Sequence, residues 1–298
     1  MDFTDKVAIV TGGGRGLGRQ YSLELARRGA KLVVNDLGAS VDGQGASDAA
    51  REVVAEIEAM GGTAIANGAS VTDANAMAAM VEDVLDRFGR IDLLVANAGI
   101  LRDKSFSKMP LDDYRTVIDV HLMGTVNAIK AVWPVMTQQQ RGRIIVTTST
   151  AGLFGNFGQT NYGAAKTAVI GLMNSLNIEG QKAGIKVNCI SPFAITRMSE
   201  SLTSPEIAAV MKPEHVAQGV VWLASDEAPA GVILNAGSGR FSTTRIVESP
   251  GVAFPLDAAR AENVAEAWAR ISDPAGERAF GSALEHSADF LQRAPAAG

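Results

Sequence analysis

Tyr162 and Lys166 have the residue types and the spacing that acid–base chemistry requires. If the alanine-rich stretch around them is helical, both side chains lie on one face, one turn apart. Tyrosine titrates near 10, so proton transfer at neutral pH needs a neighbour that favours the phenolate. An ammonium roughly 4 Å away, at an effective dielectric of about 20, contributes about 4 kcal/mol, close to three pKa units before desolvation. We therefore predict that Lys166 lowers the pKa of Tyr162, although three tyrosines leave room for a chance spacing.

Ser149 is the next candidate, because it follows the β-branched run at 144–146 and so stands at the carboxyl end of a predicted strand. A hydroxyl in that position can hydrogen-bond a carbonyl or alcohol oxygen while a tyrosine moves the proton. The alternative is a serine that only closes the strand. Ser149, Tyr162 and Lys166 together predict a catalytic centre.

A glycine-rich turn follows the first predicted strand and opens a helical pattern. Glycines let the backbone turn sharply and approach a pyrophosphate, and the helix N-terminus offers free N–H groups to the anion. The place of this turn between strand and helix favours a dinucleotide site over a purely structural turn. A second turn, Asn97-Ala98-Gly99, follows a later predicted strand. It either lies at the same edge of the sheet, where ligands collect, or is only a tight turn that reverses the chain. The residues predicted here to bind the dinucleotide are Gly12, Arg15, Gly16, Leu17, Gly18, Asn97, Ala98 and Gly99.

Asp36 ends the second predicted strand, where a carboxylate can accept hydrogen bonds from the adenosine ribose. The same charge would repel a 2′-phosphate, so the sequence favours NAD over NADP. Two alternatives remain open: Arg15 could welcome a 2′-phosphate, and Asp36 could simply cap the loop that follows.

The elements that position these residues follow from hydrophobic periodicity. Short β-branched runs with few charges alternate with amphipathic segments, which predicts strands buried on both faces and separated by helices. This alternation indicates an α/β fold with a doubly wound parallel sheet of about seven strands, Rossmann-like. We predict one catalytic, dinucleotide-binding domain over residues 1–239. Residues 240–298 are then a partly helical C-terminal extension with one amphipathic helix around Ala259 to Ile271.

Composition excludes several classes of function. The chain has 298 residues, 47% of them hydrophobic, and a net charge of −5, so neither disorder nor a basic face for nucleic acid or an anionic membrane is indicated. The single cysteine, Cys189, and three scattered histidines show no metal-ligand spacing, so no metal site is predicted. The lone thiol and the acidic amino terminus predict a cytoplasmic protein without a membrane span.

At this point the sequence resembles the short-chain dehydrogenase/reductase family in its classical form, over about residues 4–240. The resemblance rests on the glycine turn, Asn97-Ala98-Gly99, Ser149 and the Tyr162/Lys166 pair, in the family's order and spacing. It implies that Ser149 orients the substrate oxygen and that Tyr162 is the acid–base group. It also implies that Lys166 holds the nicotinamide ribose and that hydride passes to or from the nicotinamide. Members commonly pair as homodimers or homotetramers.

A narrower resemblance is to the (3R)-hydroxyacyl-CoA dehydrogenase domain of the peroxisomal multifunctional β-oxidation enzyme and its bacterial stand-alone relatives. It rests on the segments at 34–38, 97–106 and 155–159. The resemblance implies an NAD-dependent oxidation of a 3-hydroxyacyl-CoA, with a hydroxysteroid or steroid catabolite as the alternative substrate. A binding protein for NAD without turnover is the alternative from another class, and the intact Ser149, Tyr162 and Lys166 argue against it.

Departures from the family pattern mark further positions. His121 stands where the family has an asparagine that anchors a relay water, and it either holds that water or is a hydrogen-bonded core residue. The segment from Met198 to Met211 stands where the family has a mobile substrate lid, and its mixture of apolar residues with Ser and Thr fits either such a lid or an ordinary surface helix. Arg102, Lys104 and Lys108 either meet the phosphates of coenzyme A or are solvated surface charges. The resemblance also implies cofactor binding at Ser70, which replaces an aspartate, and at Val71, Pro192 and Ile195.

Overall fold

A computed structural model of the protein describes residues 1–38, 48–194 and 210–295. Its centre is an eight-stranded sheet with the strand order β3-β2-β1-β4-β5-β6-β7-β8. Strands β1 to β7 pair in parallel. The predicted doubly wound parallel α/β fold is confirmed. The strands are β1 (Val7–Thr11), β2 (Lys31–Asn35), β3 (Ala64–Asn67), β4 (Leu93–Ala96), β5 (Gly142–Thr147), β6 (Ile185–Pro192), β7 (Ile233–Gly237) and β8 (Arg240–Thr244).

The eighth strand exceeds the predicted count of about seven. It follows β7 after Ser238 and Gly239, which both have positive φ, as a two-residue hairpin turn of the tightest type requires. The side chains of β8 are mostly exposed, so the strand has no buried apolar run to reveal it in the sequence. This strand falls inside the segment that was predicted to be the C-terminal extension.

Helices cover both faces of the sheet. In the β1 strand, Ala8 and Val10 join one buried cluster, while Val7 and Ile9 join the other. This division of neighbouring residues between two cores is why the strands read as continuous apolar runs. The helices are α1 (Gly16–Arg27), α2 (Ala49–Ala59), α3 (Ala74–Phe88), α4 (Leu111–Ile118), α5 (Gly124–Gln139), α6 (Thr150–Phe154), α7 (Thr160–Gly180) and α8 (Pro213–Ala224).

Ionised side chains are paired at the edge of the sheet where the strands begin. The Asp92 carboxylate is 4% exposed, accepts a hydrogen bond from the Val7 amide at 3.0 Å and forms an ion pair with Arg90. The Arg143 guanidinium is 7% exposed and donates to the Asp226 carboxylate at 3.0 Å. It also donates to the backbone carbonyls of Gly142, Gly184 and Ser225.

The chain divides into two compact units, Met1–Thr243 and Thr244–Gly298. The second unit contains α9 (Ala261–Glu266), α10 (Trp268–Ile271) and α11 (Ala283–Arg293). The single helix predicted around Ala259 to Ile271 is interrupted at Ala267, and α11 was not predicted. Inside this unit the His286 ring pairs with the Glu248 carboxylate at 2.6 Å. No helix within the described ranges is long and apolar enough to span a membrane.

Candidate active site

The carboxyl ends of β1, β2, β4, β5 and β6 surround a cleft of about 840 Å³, at the point where the strand order reverses between β1 and β4. Ligand sites collect at this position in doubly wound sheets, and the volume is in the range of small-molecule sites. The predicted residues that line it are Gly12, Arg15, Gly16, Leu17, Asp36, Ser70, Val71, Asn97, Ala98, Gly99, His121, Ser149, Tyr162, Lys166 and Pro192.

Two of the predicted cofactor residues, Gly18 and Ile195, are not among these lining residues. Gly18 packs under the turn: a Cβ there would lie 2.0 Å from the Gly12 carbonyl oxygen, so the glycine permits close helix–strand packing. Ile195 lies outside the described residues, as does most of the predicted lid. Met211, at the end of that predicted lid, lines the cleft.

The glycine turn is braced from β4. Gly12 and Gly16 have φ of 63° and 52°, a backbone conformation that glycine adopts without strain. The Asn97 side-chain amide donates to the carbonyls of Thr11 and Gly12, at 3.1 Å each. Asn97 therefore holds the shape of the turn as well as lining the cleft.

Asp36 is held by the backbone on both sides. Its Oδ2 accepts from the Gly14 amide at 2.9 Å, and its Oδ1 accepts from the Gly38 amide at 2.8 Å. These bonds fix the carboxylate at the edge of the cleft, and each oxygen has a second lone pair for another donor. Nearby, the Ser70 and Thr72 hydroxyls lie 2.8 Å apart.

Ser149 and Tyr162 form the reacting end of the cleft. Ser149 is the N-cap of α6, where its Oγ accepts from the Ala151 amide at 3.2 Å. Burial raises the pKa of Tyr162, and the charge of Asp103 raises it further, whereas a hydrogen bond from Ser149 lowers it. Ser149 and Tyr162 thus line the same end of the cleft.

Lys166 is placed differently from the prediction. Its ammonium is buried, donates to the Thr147 carbonyl at 2.7 Å and lies 5.5 Å from the centre of the Tyr162 ring. Burial lowers the pKa of Lys166 to about 7. Lys166 is also not among the groups that shift the pKa of Tyr162, which burial and Asp103 raise and Ser149 lowers. The predicted lowering of the Tyr162 pKa by Lys166 is therefore absent from this structure.

His121 lies in a π-helical turn, Asp119–Met123, between α4 and α5. Its Nε2 lies 2.7 Å from the Ile100 carbonyl oxygen and 3.1 Å from the Ile100 amide nitrogen. Its buried Nδ1 has no hydrogen-bond partner among the described residues. The ring meets the Tyr162 ring edge-on at 5.1 Å, and burial holds the pKa of His121 well below its ordinary value. His121 is thus neutral and beside the tyrosine.

Gly99 makes that placement of the histidine possible. A Cβ at this position would lie 2.3 Å from His121 Cε1, which is closer than the ring can tolerate. The glycine of the Asn97-Ala98-Gly99 turn therefore serves the catalytic end of the cleft as well as the cofactor end.

Sequence reasoning missed the polar residues that connect the loop after β4 to α7. Asn161 is fully buried, accepts from the Tyr162 amide at 2.8 Å and donates to the Arg102 carbonyl at 3.1 Å. Gln159 donates to the Asp103 carboxylate at 2.7 Å and accepts from Asn156 at 2.9 Å. The signal in the sequence was the presence of three amide side chains, Asn156, Gln159 and Asn161, within the six residues before Tyr162.

Arg102, Lys104 and Lys108 were predicted either to meet coenzyme A phosphates or to be solvated surface charges, and two of them form ion pairs. Arg102 pairs with Asp113 at 2.8 Å, and Lys104 pairs with the same carboxylate at 3.1 Å. Both interactions hold the pKa of Asp113 below its ordinary value. Lys108 is exposed in the turn Phe106–Lys108. Within the described residues, no group of three or more His, Cys, Asp or Glu could hold a metal ion.

With the geometry in place, comparison with known proteins decides the family. The model of the short chain dehydrogenase family matches residues 6–206. The chain belongs to this family. It is therefore an oxidoreductase of a family whose members generally bind NAD or NADP, as the sequence motifs predicted.

Three known proteins show how far the similarity extends. A Mycobacterium tuberculosis protein, named only as a short-chain type dehydrogenase/reductase, is 44% identical over 282 residues, which cover 94% of this chain and 98% of that protein. Full-length peroxisomal multifunctional enzyme type 2 of Drosophila melanogaster has a similar structure, with a TM-score of 0.83 and 34% identity. That match covers 98% of this chain but 50% of the fly enzyme, so the present chain spans half its length. The narrower resemblance found in the sequence is thereby confirmed.

The third protein is a 7α-hydroxysteroid dehydrogenase, solved with NADH and 7-oxo glycochenodeoxycholic acid. Its TM-score is 0.72 at 29% identity, over 80% of this chain and 95% of that one. The fold is thus shared with a dehydrogenase that is named for a steroid alcohol.

Proposed function

We propose that the protein is an NAD-dependent dehydrogenase that interconverts a secondary alcohol and a ketone, with a 3-hydroxyacyl-CoA and its 3-oxo form as the substrate pair. One observation carries the proposal: Ser149 and Tyr162 line the same cleft as Asp36, His121 and Lys166, the His121 ring meets the Tyr162 ring edge-on at 5.1 Å, and the Lys166 ammonium lies 5.5 Å from the centre of that ring.

The residues present fit a dinucleotide. The glycine turn opens α1 at the cleft, so unpaired helix N–H groups and the positive helix end face the position of a pyrophosphate. Asp36 keeps lone pairs for ribose hydroxyls. NAD, when bound, supplies the acceptor for the hydride that leaves the alcohol carbon.

The protein's own groups then handle the proton. Ser149 donates a hydrogen bond to the substrate oxygen and orients it towards the Tyr162 hydroxyl. During reduction the Tyr162 hydroxyl gives its proton to the ketone oxygen and is reprotonated from solvent through Lys166 or the relay water. During oxidation the Tyr162 hydroxyl proton leaves by the same route, and the phenolate takes the alcohol proton. Lys166, with a pKa of about 7, can hold or release a proton at physiological pH. Neutral His121 offers its unpartnered Nδ1 as a site for a relay water.

The preference for NAD over NADP rests on the Asp36 charge. A second phosphate on the adenosine ribose would bring two negative charges together in a partly buried place. Arg15, the N-cap residue of α1, is the nearest feature of the sequence that could favour NADP. Measuring turnover of the same alcohol with NAD and with NADP distinguishes the two cofactors.

The choice of an acyl-CoA rests on the similarity to the fly multifunctional enzyme and on the cleft wall. Ile100, Leu101, Phe157 and Phe193 supply apolar surface there, and Phe157 is 89% exposed. An apolar wall suits an acyl chain, and the same wall suits a steroid. The hydroxysteroid alternative therefore stands as the second candidate, supported by the similarity to the 7α-hydroxysteroid dehydrogenase.

The test is turnover by the purified protein, followed by the absorbance of the reduced cofactor. Matched (3R)- and (3S)-hydroxyacyl-CoA substrates of several chain lengths are compared with hydroxysteroids, each with NAD and with NADP, and Tyr162→Phe is the blank. We expect one CoA enantiomer to be oxidised with NAD. Oxidation of steroids alone would replace the acyl-CoA proposal, and cofactor binding without any turnover would support the non-catalytic alternative.

The proposal includes a homodimer or homotetramer in the cytoplasm. The lone buried thiol, Cys189, supports a reducing compartment, since burial raises its pKa to about 12 and no disulfide uses it. Light scattering of the purified protein tests the oligomer. Cell fractionation tests the compartment, with the peroxisome as the alternative that the fly enzyme's name raises.

A further inference from the structure

Asp103 is an acidic residue in the wall of the cleft that contains Ser149 and Tyr162. Its carboxylate accepts a hydrogen bond from Gln159 Nε2 at 2.7 Å. Gln159 is itself oriented by Asn156, whose Nδ2 donates to Gln159 Oε1 at 2.9 Å. These two amides hold the position of the Asp103 charge without neutralising it.

The loop that carries Asp103 is anchored to the catalytic helix. The Arg102 carbonyl accepts from Asn161, the residue before Tyr162, and the Lys104 amide donates to the Gly158 carbonyl at 2.9 Å. Asp103 lies between these two anchors. The hydrogen bonds on either side of Asp103 therefore fix the position of its backbone relative to the helix that carries Tyr162.

The cations next to Asp103 in sequence direct their ion pairs to another carboxylate. Arg102 and Lys104 both pair with Asp113 on α4, at 2.8 Å and 3.1 Å. Asp113 balances one of these two positive charges. Asp103 forms no ion pair with a described residue, so its carboxylate is held only by the neutral Gln159 amide at the cleft wall.

The other titratable groups of the catalytic end add little positive charge. His121 is neutral, because burial and Lys166 hold its pKa well below the ordinary value. Lys166 has a pKa of about 7 and donates to the Thr147 carbonyl. The field of Asp103 reaches the tyrosine hydroxyl, since its charge is one of the causes that raise the Tyr162 pKa. An anion bound close to Tyr162 would meet the same field.

We propose that Asp103 is a specificity-determining residue that disfavours alcohols and ketones with a free carboxylate beside the reacting carbon and thereby favours their neutral esters and thioesters. The inference rests on the proposed function and deepens it: a 3-hydroxyacyl thioester has no charge near C3, whereas the free 3-hydroxy acid has a carboxylate two bonds away. Like charges in a partly desolvated cleft repel, and that repulsion separates the two substrate classes.

The experiment compares 3-hydroxybutyrate with its methyl ester, which differ at this point only in the charge. The ratio of kcat/KM for the acid to that for the ester is measured with NAD for wild type, Asp103→Asn and Asp103→Glu. Asp112→Asn is the matched control, since Asp112 is an exposed carboxylate of α4 outside the cleft lining. Thermal unfolding of each variant verifies that it is folded.

We expect Asp103→Asn to raise the acid-to-ester ratio about tenfold, because one unit charge a few ångströms from another acts with about that strength at a partly solvated site. Asp103→Glu, which keeps the charge, and Asp112→Asn should leave the ratio within about twofold of wild type. An Asp103→Asn ratio equal to that of Asp112→Asn would overturn the proposal.

A binding measurement separates this inference from the proposed function. Saturation-transfer NMR with acetoacetate and methyl acetoacetate, in the presence of NADH, needs no turnover. If wild type oxidises no 3-hydroxyacyl-CoA but Asp103→Asn improves the binding of acetoacetate relative to methyl acetoacetate, the proposed reaction fails and the role of Asp103 stands. If wild type oxidises a 3-hydroxyacyl-CoA, but Asp103→Asn changes neither the acid-to-ester ratio of kcat/KM nor the relative binding of acetoacetate and methyl acetoacetate, the proposed reaction stands and the role of Asp103 fails.

Discussion

The two edges of the central sheet treat polar groups in opposite ways. At the edge where the strands begin, Asp92, Arg143 and Asp226 are ionised side chains, and each has an ion-pair partner. At the edge where the strands end, Lys166 and Tyr162 have shifted pKa values. The buried atoms His121 Nδ1, Thr147 Oγ1 and Ser191 Oγ find no partner among the described residues at this edge.

This difference shows where stability and function are located in the molecule. A buried polar atom without a partner costs roughly 1–3 kcal/mol, so a fold tolerates several of them in one place only where a ligand or water completes them. At the beginning of the sheet most of these groups are satisfied by the chain itself; Arg141 Nε is the buried side-chain atom there that lacks a hydrogen-bond partner among the described residues, and it lies 4.0 Å from the Asp92 carboxylate. We therefore expect substitutions at the two edges to have separable effects on activity and on the free energy of unfolding.

The largest effect is expected at the catalytic edge. Tyr162→Phe removes the hydroxyl that moves the proton and should lower kcat/KM by about a thousandfold, the usual size of an acid–base contribution. The free energy of unfolding should stay within about 1 kcal/mol of wild type, because the ring still packs against His121. Steady-state rates and urea unfolding measure the two quantities. A comparable loss of stability and activity would contradict the separation of the edges.

The opposite edge should show the reverse behaviour. Arg143→Met removes a buried guanidinium that binds three carbonyls and Asp226, and we expect about 3 kcal/mol lower free energy of unfolding. The kcat of the folded fraction should be unchanged. Arg115→Met is the control, because that exposed arginine pairs with Asp112 on the surface and should cost less than about 0.5 kcal/mol. Equal losses in the two variants would show that the buried network contributes no stability.

A smaller effect is expected at the cofactor end of the functional edge. Asp36→Ser removes the charge that opposes a 2′-phosphate, so the ratio of kcat/KM with NADP to that with NAD should rise about thirtyfold, roughly 2 kcal/mol. The Gly14 and Gly38 amides lose their acceptor, but the glycine turn keeps its bonds from Asn97. Cofactor titrations measure the ratio. A ratio that does not change would mean that another group selects the cofactor.

The last prediction concerns pH, and its effect is the smallest when it is expressed per pH unit. Because burial lowers the pKa of Lys166 from 10.5 to about 7, the unfolded chain binds one more proton than the folded chain between these values. Stability should therefore rise with pH in this window and fall as pH drops towards 7, by about 1 kcal/mol per pH unit. Urea unfolding at several pH values, with Lys166→Met as reference, isolates this contribution. Parallel curves for the two proteins would mean that Lys166 keeps an ordinary pKa.

Local patterns were sufficient for most of the architecture. Strands β1 to β7 each overlap the short apolar run that predicted them, because a strand buried on both faces carries few charges. Strand β8 escaped prediction because its side chains are largely exposed and leave no apolar run, whereas helix α11 has an amphipathic pattern from which the sequence could have predicted it. The helix predicted around Ala259 to Ile271 has the expected residues but is broken at Ala267, which periodicity does not register.

The residues of the candidate site also differ in how much a local pattern reveals about them. Ser149, Tyr162, Lys166 and the glycine turn were found because each needs a particular residue type at a particular place on a strand end or a helix. Gly18 illustrates the limit: its residue type was recognised, but the structure uses it to pack α1 against Gly12. Residue type alone does not distinguish a glycine that faces a ligand from one that faces the protein.

By itself, the sequence determined the doubly wound sheet, the edge at which the candidate site lies and the side chains proposed to react, since these follow from periodicity and from the chemistry of single residues. Only the tertiary structure decided the electrostatics of the site. It buried Lys166 against the Thr147 carbonyl, drew Arg102 and Lys104 to Asp113, and placed Asp103 in the cleft wall without an ion pair to a described residue. The physical reason is that pKa values and charge pairing depend on burial and on neighbours distant in the chain, which no local pattern contains.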